Sequence, residues 1–138
     1  MLLLGAASAL VDGIHEGVRA RGFTDLRPAH GFAFVRLAPD GATIVDLADH
    51  LGVTKQAASQ MADELVRKGY VERRPHPADA RARLLTLTDR GWACTRAADE
   101  AATAVLQPWA DALGPAQLST VRAALTRLTI PGRIRPTW

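Results

Sequence analysis

Several polar side chains near the middle of the chain have the chemistry and the spacing to bind the edges of nucleic-acid bases. On a helix, residues three and four positions apart lie on one side, so these side chains would face the same way. A lysine donates to guanine acceptors, a glutamine pairs with adenine, and hydroxyl groups suit bases or phosphates. The residues are Thr54, Lys55, Gln56, Ser59 and Gln60, with Asp63 on the same face. The alternative is a helix face that meets only solvent.

Four arginines follow in the segment "VERRPHPADARARLLTLT", residues 71–88. They are Arg73, Arg74, Arg81 and Arg83. The first two are expected to contact phosphates, and the last two lie where an arginine can enter the negative minor groove of DNA. Asp79 is predicted to orient Arg81 or a neighbour. The alternative is an exposed hairpin whose charges give solubility and protect its edges.

The positive charge of the chain is concentrated in this part of the sequence. The 138 residues include 17 Lys or Arg and 14 Asp or Glu, a net charge of +3. Between Thr54 and Arg90, eight basic residues face five acidic ones, and the remaining nine of each sign cancel. A localised basic excess indicates a polyanionic partner. The length suits a single domain, and the one cysteine excludes an internal disulfide.

The start of the chain reads as two helices. Residues 1–21 carry one apolar stripe and end at Gly22, and a second helix is expected from Pro28 to Leu37. The opening "MLLLGAASAL" is similar to a signal peptide, but it lacks a basic start and its stripe continues past the cleavage-like site. We therefore predict a cytoplasmic protein without membrane contact.

A helix-turn-helix pattern comes next. Thr43 and Asp46 have capping-box spacing, and Gly52 ends the first helix of the pair. Thr54 is expected to cap the second helix, and Gly69 to end it. The predicted inner face of the second helix is Ala58, Met61 and Leu65. Two helices joined by a short glycine-containing turn are typical of DNA-binding domains.

A β-hairpin is predicted directly after Gly69. Its strands are residues 71–74 and 84–88, and the nine residues between them form a loop that is long for a hairpin. A helix-turn-helix followed by a hairpin is a winged helix. The predicted fold class is therefore mainly α, with a small hairpin wing and additional helices for dimerisation.

The rest of the chain is predicted to be helical. A long helix begins at Thr88 or Asp89, and Pro108 is expected to kink or interrupt it near Gln107. A last helix begins at Gly114-Pro115 and ends at Pro131-Gly132. Residues 131–138 show no periodicity and are predicted to be a tail.

The segment "LADHLGVTKQAASQMADELVRKGYVERRPHPADARARLLTLTDRG" resembles the MarR family of bacterial winged-helix transcriptional regulators. The most specific parts are "KGYVERR", the Asp79-x-Arg81 pair and the "LTxxG" pattern that begins the next helix. One departure is Ala80, because family members often carry another basic residue at this position.

The resemblance implies a homodimer on palindromic DNA, often with a small-molecule effector bound between two regions of the subunit. It places dimerisation helices in residues 1–22 and 89–130 and the winged helix-turn-helix in residues 28–88. Apolar residues at helical spacing supply more surface than a lone winged helix can cover, which also favours a two-fold interface. They are Leu3, Leu10, Ile14, Val105, Leu118, Val121, Leu125 and Leu128.

Other chemistry receives little support from the sequence. Cys94 is predicted to be an inert buried residue rather than a redox sensor, and no cofactor is expected. The histidines lack metal-ligand spacing; they are His15, His30, His50 and His76. Four aromatic residues are predicted to lie in the core or an interface rather than in an effector pocket; they are Phe32, Phe34, Trp92 and Trp109.

The predicted function is a sequence-specific DNA-binding regulator, acting as an effector-responsive repressor. The main alternative is a winged helix that serves as a protein-interaction or dimerisation module without binding DNA. A more remote alternative is a small enzyme with Cys94 as its nucleophile.

Overall fold

The computed structural model describes residues 1–128, apart from the side chain of Ala80. Its elements are α1 (Leu2–Ala20), α2 (Pro28–Leu37), α3 (Ile44–Leu51), α4 (Lys55–Arg67), β1 (Val71–His76), β2 (Asp79–Leu87) and α5 (Asp89–Leu128). The predicted fold class, a mainly α winged helix-turn-helix, is confirmed. Within residues 1–128, no helix has both the length and the apolar character needed to cross a membrane.

The helix-turn-helix forms because each end of its helices is capped as its sequence predicts. The Thr43 hydroxyl accepts from the Asp46 amide at 3.2 Å, and the Asp46 carboxylate accepts from the Thr43 amide at 2.9 Å. The Thr43 hydroxyl also donates to the Asp46 carboxylate at 2.7 Å, and this bond, followed by the bond from the Thr43 amide, holds the pKa of Asp46 below its usual value. Gly52 ends α3 with φ 63°, and Thr54 caps α4 by accepting from the Ala57 amide.

The buried Tyr70 joins the helix-turn-helix to the start of α5. Its ring packs against Phe23 and Phe34, and its hydroxyl donates to Asp25 at 2.6 Å. The Arg90 guanidinium lies over the ring and donates to the same hydroxyl. Burial and the bond to Asp25 raise the pKa of Tyr70 to about 12, so the phenol stays protonated.

The "LTxxG" pattern has a local explanation at the beginning of α5. The Thr88 hydroxyl donates to the Gly69 carbonyl at 2.7 Å and accepts from the Gly91 amide at 3.1 Å. A Cβ atom on Gly91 would lie 2.3 Å from the Tyr70 carbonyl oxygen, so only glycine permits this approach.

The prediction of a nine-residue wing loop is wrong. β1 continues to His76 and β2 begins at Asp79, so the turn contains only Pro77 and Ala78. The pairing passes from Pro75↔Arg83 directly to His76↔Asp79, which leaves an irregularity in β2. Both strands of this two-stranded sheet are edge strands, so a proline is tolerated in them. Near the turn, both faces of the hairpin meet solvent. The alternating apolar pattern that marks a half-buried strand is therefore absent there.

The predicted interruption near Gln107 is also wrong. The backbone stays helical through Pro108, and the break lies at Gly114, where φ is 73° and ψ is 164°. Gln107 and Gly114 each precede a proline, and this position disfavours the helical conformation. Of the two residues, only glycine reaches positive φ at little cost. The predicted start of the last helix at Gly114-Pro115 coincides with this break. Its predicted end near residue 130 and the tail lie outside the described residues.

The first helix, α1, lies along the first half of α5. Gly13 and Gly17 permit this close packing, since a Cβ atom on Gly17 would lie 2.5 Å from the Ala101 Cβ. Val105 packs against Gly13 and Ile14 packs against the core, so these two residues of the predicted dimer stripe serve the subunit itself.

Candidate nucleic-acid interface

The predicted base-reading residues lie together on the outward side of α4. Lys55, Gln56 and Gln60 are exposed, and Ser59 is half-buried. On the opposite side Ala58 and Leu65 are fully buried, and Met61 packs against the core. The predicted inner face is therefore confirmed, and the polar residues remain accessible to a ligand.

The N-terminus of α4 favours a negatively charged ligand. Its unpaired amide groups carry a partial positive charge, and the first turn contains Lys55 but no acidic residue. The Thr54 oxygen accepts from the Ala57 amide at 3.1 Å, which leaves the hydroxyl hydrogen free to donate. Thr54 thus has both a structural role and an available donor.

Hydrogen bonds within the turn fix the tip of the wing. The His76 Nδ1 accepts from the Ala78 amide at 3.1 Å, and the Asp79 carboxylate accepts from the Arg81 amide at 2.9 Å. Asp79 therefore fixes the backbone of Arg81 rather than its guanidinium group. Arg81 and Arg83 are exposed, and neither forms an ion pair within residues 1–128.

The two arginines at the root of the wing differ from those at its tip, because each root arginine binds a carboxylate. Arg73 Nη2 lies 2.5 Å from Asp63 Oδ1 of α4. Arg74 donates to Glu72 Oε1 through Nε at 2.9 Å and Nη2 at 2.5 Å. Neither partner is predicted from the sequence. The Glu72–Arg74 spacing of two residues signals a shared strand face, whereas nothing local signals the pair between α4 and β1.

A partly buried cluster of charged residues supports α4 from its inner side. The Glu64 carboxylate accepts from Lys68 Nζ at 2.7 Å and from Arg27 Nη2 at 2.6 Å. The hydrogen bond from Lys68 is the largest effect that lowers the pKa of Glu64 to about 2. His30 is fully buried, which lowers its pKa, and its Nδ1 accepts from the Arg27 amide.

A cavity of about 220 Å³ lies between α1, α2 and α5. Its apolar wall includes Phe32, Phe34 and Cys94, and Arg27 lies at its edge. Phe34 also belongs to the core, as predicted, whereas Trp92 and Trp109 are not among the lining residues of this cavity. Burial raises the pKa of Cys94 to about 11, so its thiol is protonated and shielded, as predicted for an inert residue.

No metal centre is evident in the part of the chain that the structure describes. Among these residues, no three His, Cys, Asp or Glu side chains approach closely enough to hold an ion.

Exposed apolar side chains are concentrated at the beginning of α1 and along the second half of α5. In the described part of α5, the buried residues end at Ala101. Large apolar side chains are exposed in both of these segments. Among them are Leu2, Leu3, Leu4, Leu106, Leu113, Leu118, Val121 and Leu128.

Comparisons with known proteins agree with this architecture. The MarR family model matches residues 32–82. The HTH-type transcriptional regulator PetP of Rhodobacter capsulatus is 32% identical over 102 residues, which cover 74% of this chain and 61% of the relative. The chain spans about three-fifths of the length of the curated relatives it matches, which include mycobacterial proteins that are 36% identical over 88 residues.

Two solved structures illustrate the similarity in fold. RV1404 from Mycobacterium tuberculosis has a TM-score of 0.77 at 27% identity, with 93% of this chain and 87% of that chain covered. A mutant MarR from E. coli complexed with operator DNA has a TM-score of 0.75 at 24% identity, with 94% and 91% covered.

Proposed function

This chain belongs to the MarR family, and from that premise we propose that it binds a specific double-stranded DNA site as a homodimer and regulates transcription. The observation that carries the proposal is the position of the exposed polar side of α4 beside a wing whose tip arginines have no carboxylate partner within residues 1–128. A polar helix face alone meets water in most proteins. The adjoining basic hairpin makes DNA the better explanation.

In the proposed complex, α4 enters the major groove with its N-terminal residues against base edges. Gln56 and Gln60 pair with adenine, and Lys55 donates to guanine acceptors. Thr54 and Ser59 donate to a phosphate or a base. The positive end of the α4 dipole lies towards the phosphates and adds attraction that does not depend on sequence.

The wing supplies the contacts beside the groove. Arg81 enters the minor groove and Arg83 lies near its edge, because both guanidinium groups are free of carboxylates among the described residues. Arg73 and Arg74 lie near phosphates at the root. The bond from Asp79 to the Arg81 amide reduces the conformational freedom that DNA binding would otherwise remove.

Dimerisation would place two copies of α4 on a palindromic site. The exposed leucines and valines of α1 and of the second half of α5 form the proposed interface. An obligate interface of this kind buries more than about 2,000 Å². Its two-fold symmetry requires two half-sites in opposite orientation about one helical turn apart.

We also propose that a small, mainly apolar molecule in the cavity lowers DNA affinity, so that the protein acts as a repressor. Arg27 provides the physical connection, because it lines the cavity and donates to Glu64 of α4 at 2.6 Å. A ligand that moves Arg27 would change the support of α4. Compounds that raise the melting temperature should therefore also release DNA, and the Phe32→Trp variant, with a smaller cavity, should lose both effects.

The direct test is binding to duplex DNA over a salt series at neutral pH. Each phosphate contact contributes about 0.9 to the slope of log affinity against log salt, and a homodimer makes each contact twice. The Arg83→Ala variant should therefore lower the slope by nearly 2 while its circular dichroism remains unchanged, because this guanidinium has no carboxylate partner within residues 1–128. If the folded wild-type chain binds no duplex at physiological salt, the proposal fails and the interaction-module alternative replaces it.

A further inference from the structure

Asp63 is an unexpected residue on the proposed DNA-binding side of α4. It lies one helical turn after Ser59 and Gln60, so the three side chains project in similar directions. The other carboxylate of α4, Glu64, lies on the inner side against Arg27 and Lys68. Asp63 is therefore the acidic group of α4 that would lie near DNA.

An unpaired carboxylate at this position would repel every duplex, whatever its sequence, since like charges close together raise the free energy of the complex. The structure pairs it with Arg73 instead, at 2.5 Å between Oδ1 and Nη2. The two side chains are 48% and 36% exposed, so both groups remain within reach of solvent and of a docked polyanion.

The pair also changes what Arg73 offers to DNA. A guanidinium held by a carboxylate has its charge compensated and one of its donors occupied. Arg81 and Arg83 have no such partner within the described residues. The wing therefore combines two free arginines at its tip with two compensated arginines at its root, Arg73 and Arg74.

We propose that Asp63 holds Arg73 and thereby withholds one positive charge per subunit from the DNA backbone, which limits the part of the affinity that does not depend on sequence. This inference rests on the proposed DNA binding. The consequence is weaker binding to random DNA, while the base contacts of Gln56 and Gln60 are retained. Because a phosphate contact does not depend on sequence, the withheld charge weakens binding to every duplex by a similar factor, and so limits the binding of random DNA at a given protein concentration.

The test compares Asp63→Asn with the wild-type chain on random duplex and on a duplex selected by the wild-type chain. Asp12→Asn is the matched control, because it removes the same charge from α1, which packs on α2 and α5. The freed Arg73 should make the salt slope steeper by about 1.8 for the dimer and strengthen binding to random DNA about tenfold. Affinity for the selected duplex should rise by a similar factor, because the phosphate contact does not depend on sequence.

Arg73→Ala provides an independent readout, because it leaves Asp63 unpaired beside the phosphates. It should weaken binding to random DNA below the wild-type level, and adding Asp63→Asn should restore that level. A purely structural role would instead lower the melting temperature of Asp63→Asn and leave its salt slope equal to that of Asp12→Asn.

These outcomes separate the inference from the function on which it rests. If the wild-type chain binds DNA and Asp63→Asn behaves like the Asp12→Asn control, the role of Asp63 is refuted while DNA binding stands. If the wild-type chain binds no DNA, the proposed function is refuted and this role is refuted with it.

Discussion

The two ends of this molecule expose opposite kinds of surface. At one end, α4 and the wing present lysine, glutamine and arginine side chains around a helix N-terminus that lacks acidic residues. At the other end, α1 and the second half of α5 present leucine and valine, with Leu3 72% and Leu128 81% exposed. The same core includes residues of all five helices and of both strands.

This difference indicates two kinds of partner. Charged groups keep their hydration until a polyanion replaces it, so the α4–wing surface is stable in water without a partner. The free energy falls when another apolar surface covers this many exposed apolar side chains. A second copy of the chain offers that surface by symmetry.

The largest effect is expected at the apolar end. Replacing Leu118 and Val121 with glutamate places charges in the proposed interface, so the dimer should dissociate at micromolar concentration. DNA affinity should then fall by at least about 100-fold, because the two half-sites are no longer bound together. Light scattering measures the mass, and Val45→Glu on α3 is the control for an exposed valine elsewhere. A wild-type chain that is only monomeric would contradict the prediction.

The second effect separates base reading from charge at the other end. Gln60→Ala should weaken binding to the selected duplex by about 1–3 kcal/mol and relax the preference at one position in each half-site. Binding to random DNA should not change, since the side chain is neutral. Fluorescence anisotropy with both duplexes measures this, and the same loss on both would reassign Gln60 to the backbone.

The third effect concerns stability beneath α4. The pKa of Glu64 is lowered to about 2 in the folded chain, from 4.5, so its stabilisation is complete above pH 4.5 and is lost as pH falls towards 2. His30 also has a lowered pKa, so its protonation destabilises the fold in the same direction. Glu64→Gln should cost about 2 kcal/mol at pH 7 and little near pH 2.

Urea unfolding at several pH values measures this cost. Glu16→Gln is the control, because Glu16 forms an exposed ion pair with Arg19 at 3.9 Å. If the two variants have the same midpoint at pH 7, the Glu64 cluster has no special role in stability.

The smallest effect is expected at the tip of the wing. Arg81→Ala should weaken binding several-fold, and most on sites with A/T-rich flanks, because narrow minor grooves attract arginine most strongly. Competition between duplexes that differ only in their flanks measures the preference. Equal weakening on A/T-rich and G/C-rich flanks would place Arg81 outside the groove.

The sequence predicts the features of this molecule that depend on neighbouring residues. Thr43 with Asp46, Gly52 and Thr54 mark helix ends through contacts only a few residues apart, and these ends lie where expected. The predicted wing strands are shorter than the observed ones, because the outer parts of both strands have no buried face. The break in α5 was predicted at the wrong proline, because Gly114 adopts a positive φ and Gln107 stays helical.

The ion pairs between different elements could not be predicted from the sequence. Arg27 and Glu64 are 37 positions apart, and only the packing of α2 on the helix-turn-helix brings them together. Arg73 and Asp63 are ten positions apart, on different elements. The residue types at the candidate interface were predictable, but the distinction between paired and unpaired arginines required the fold.

The central claim is that α4 and the wing read a DNA sequence, and selection of bound duplexes from a random pool tests it most directly. The wild-type chain should enrich duplexes with two inverted half-sites whose centres are about 10–11 base pairs apart. A Gln56→Ala, Gln60→Ala double variant should enrich sites in which one or two positions of each half have lost their preference. A pool that remains random after selection, with folded protein, would contradict the claim.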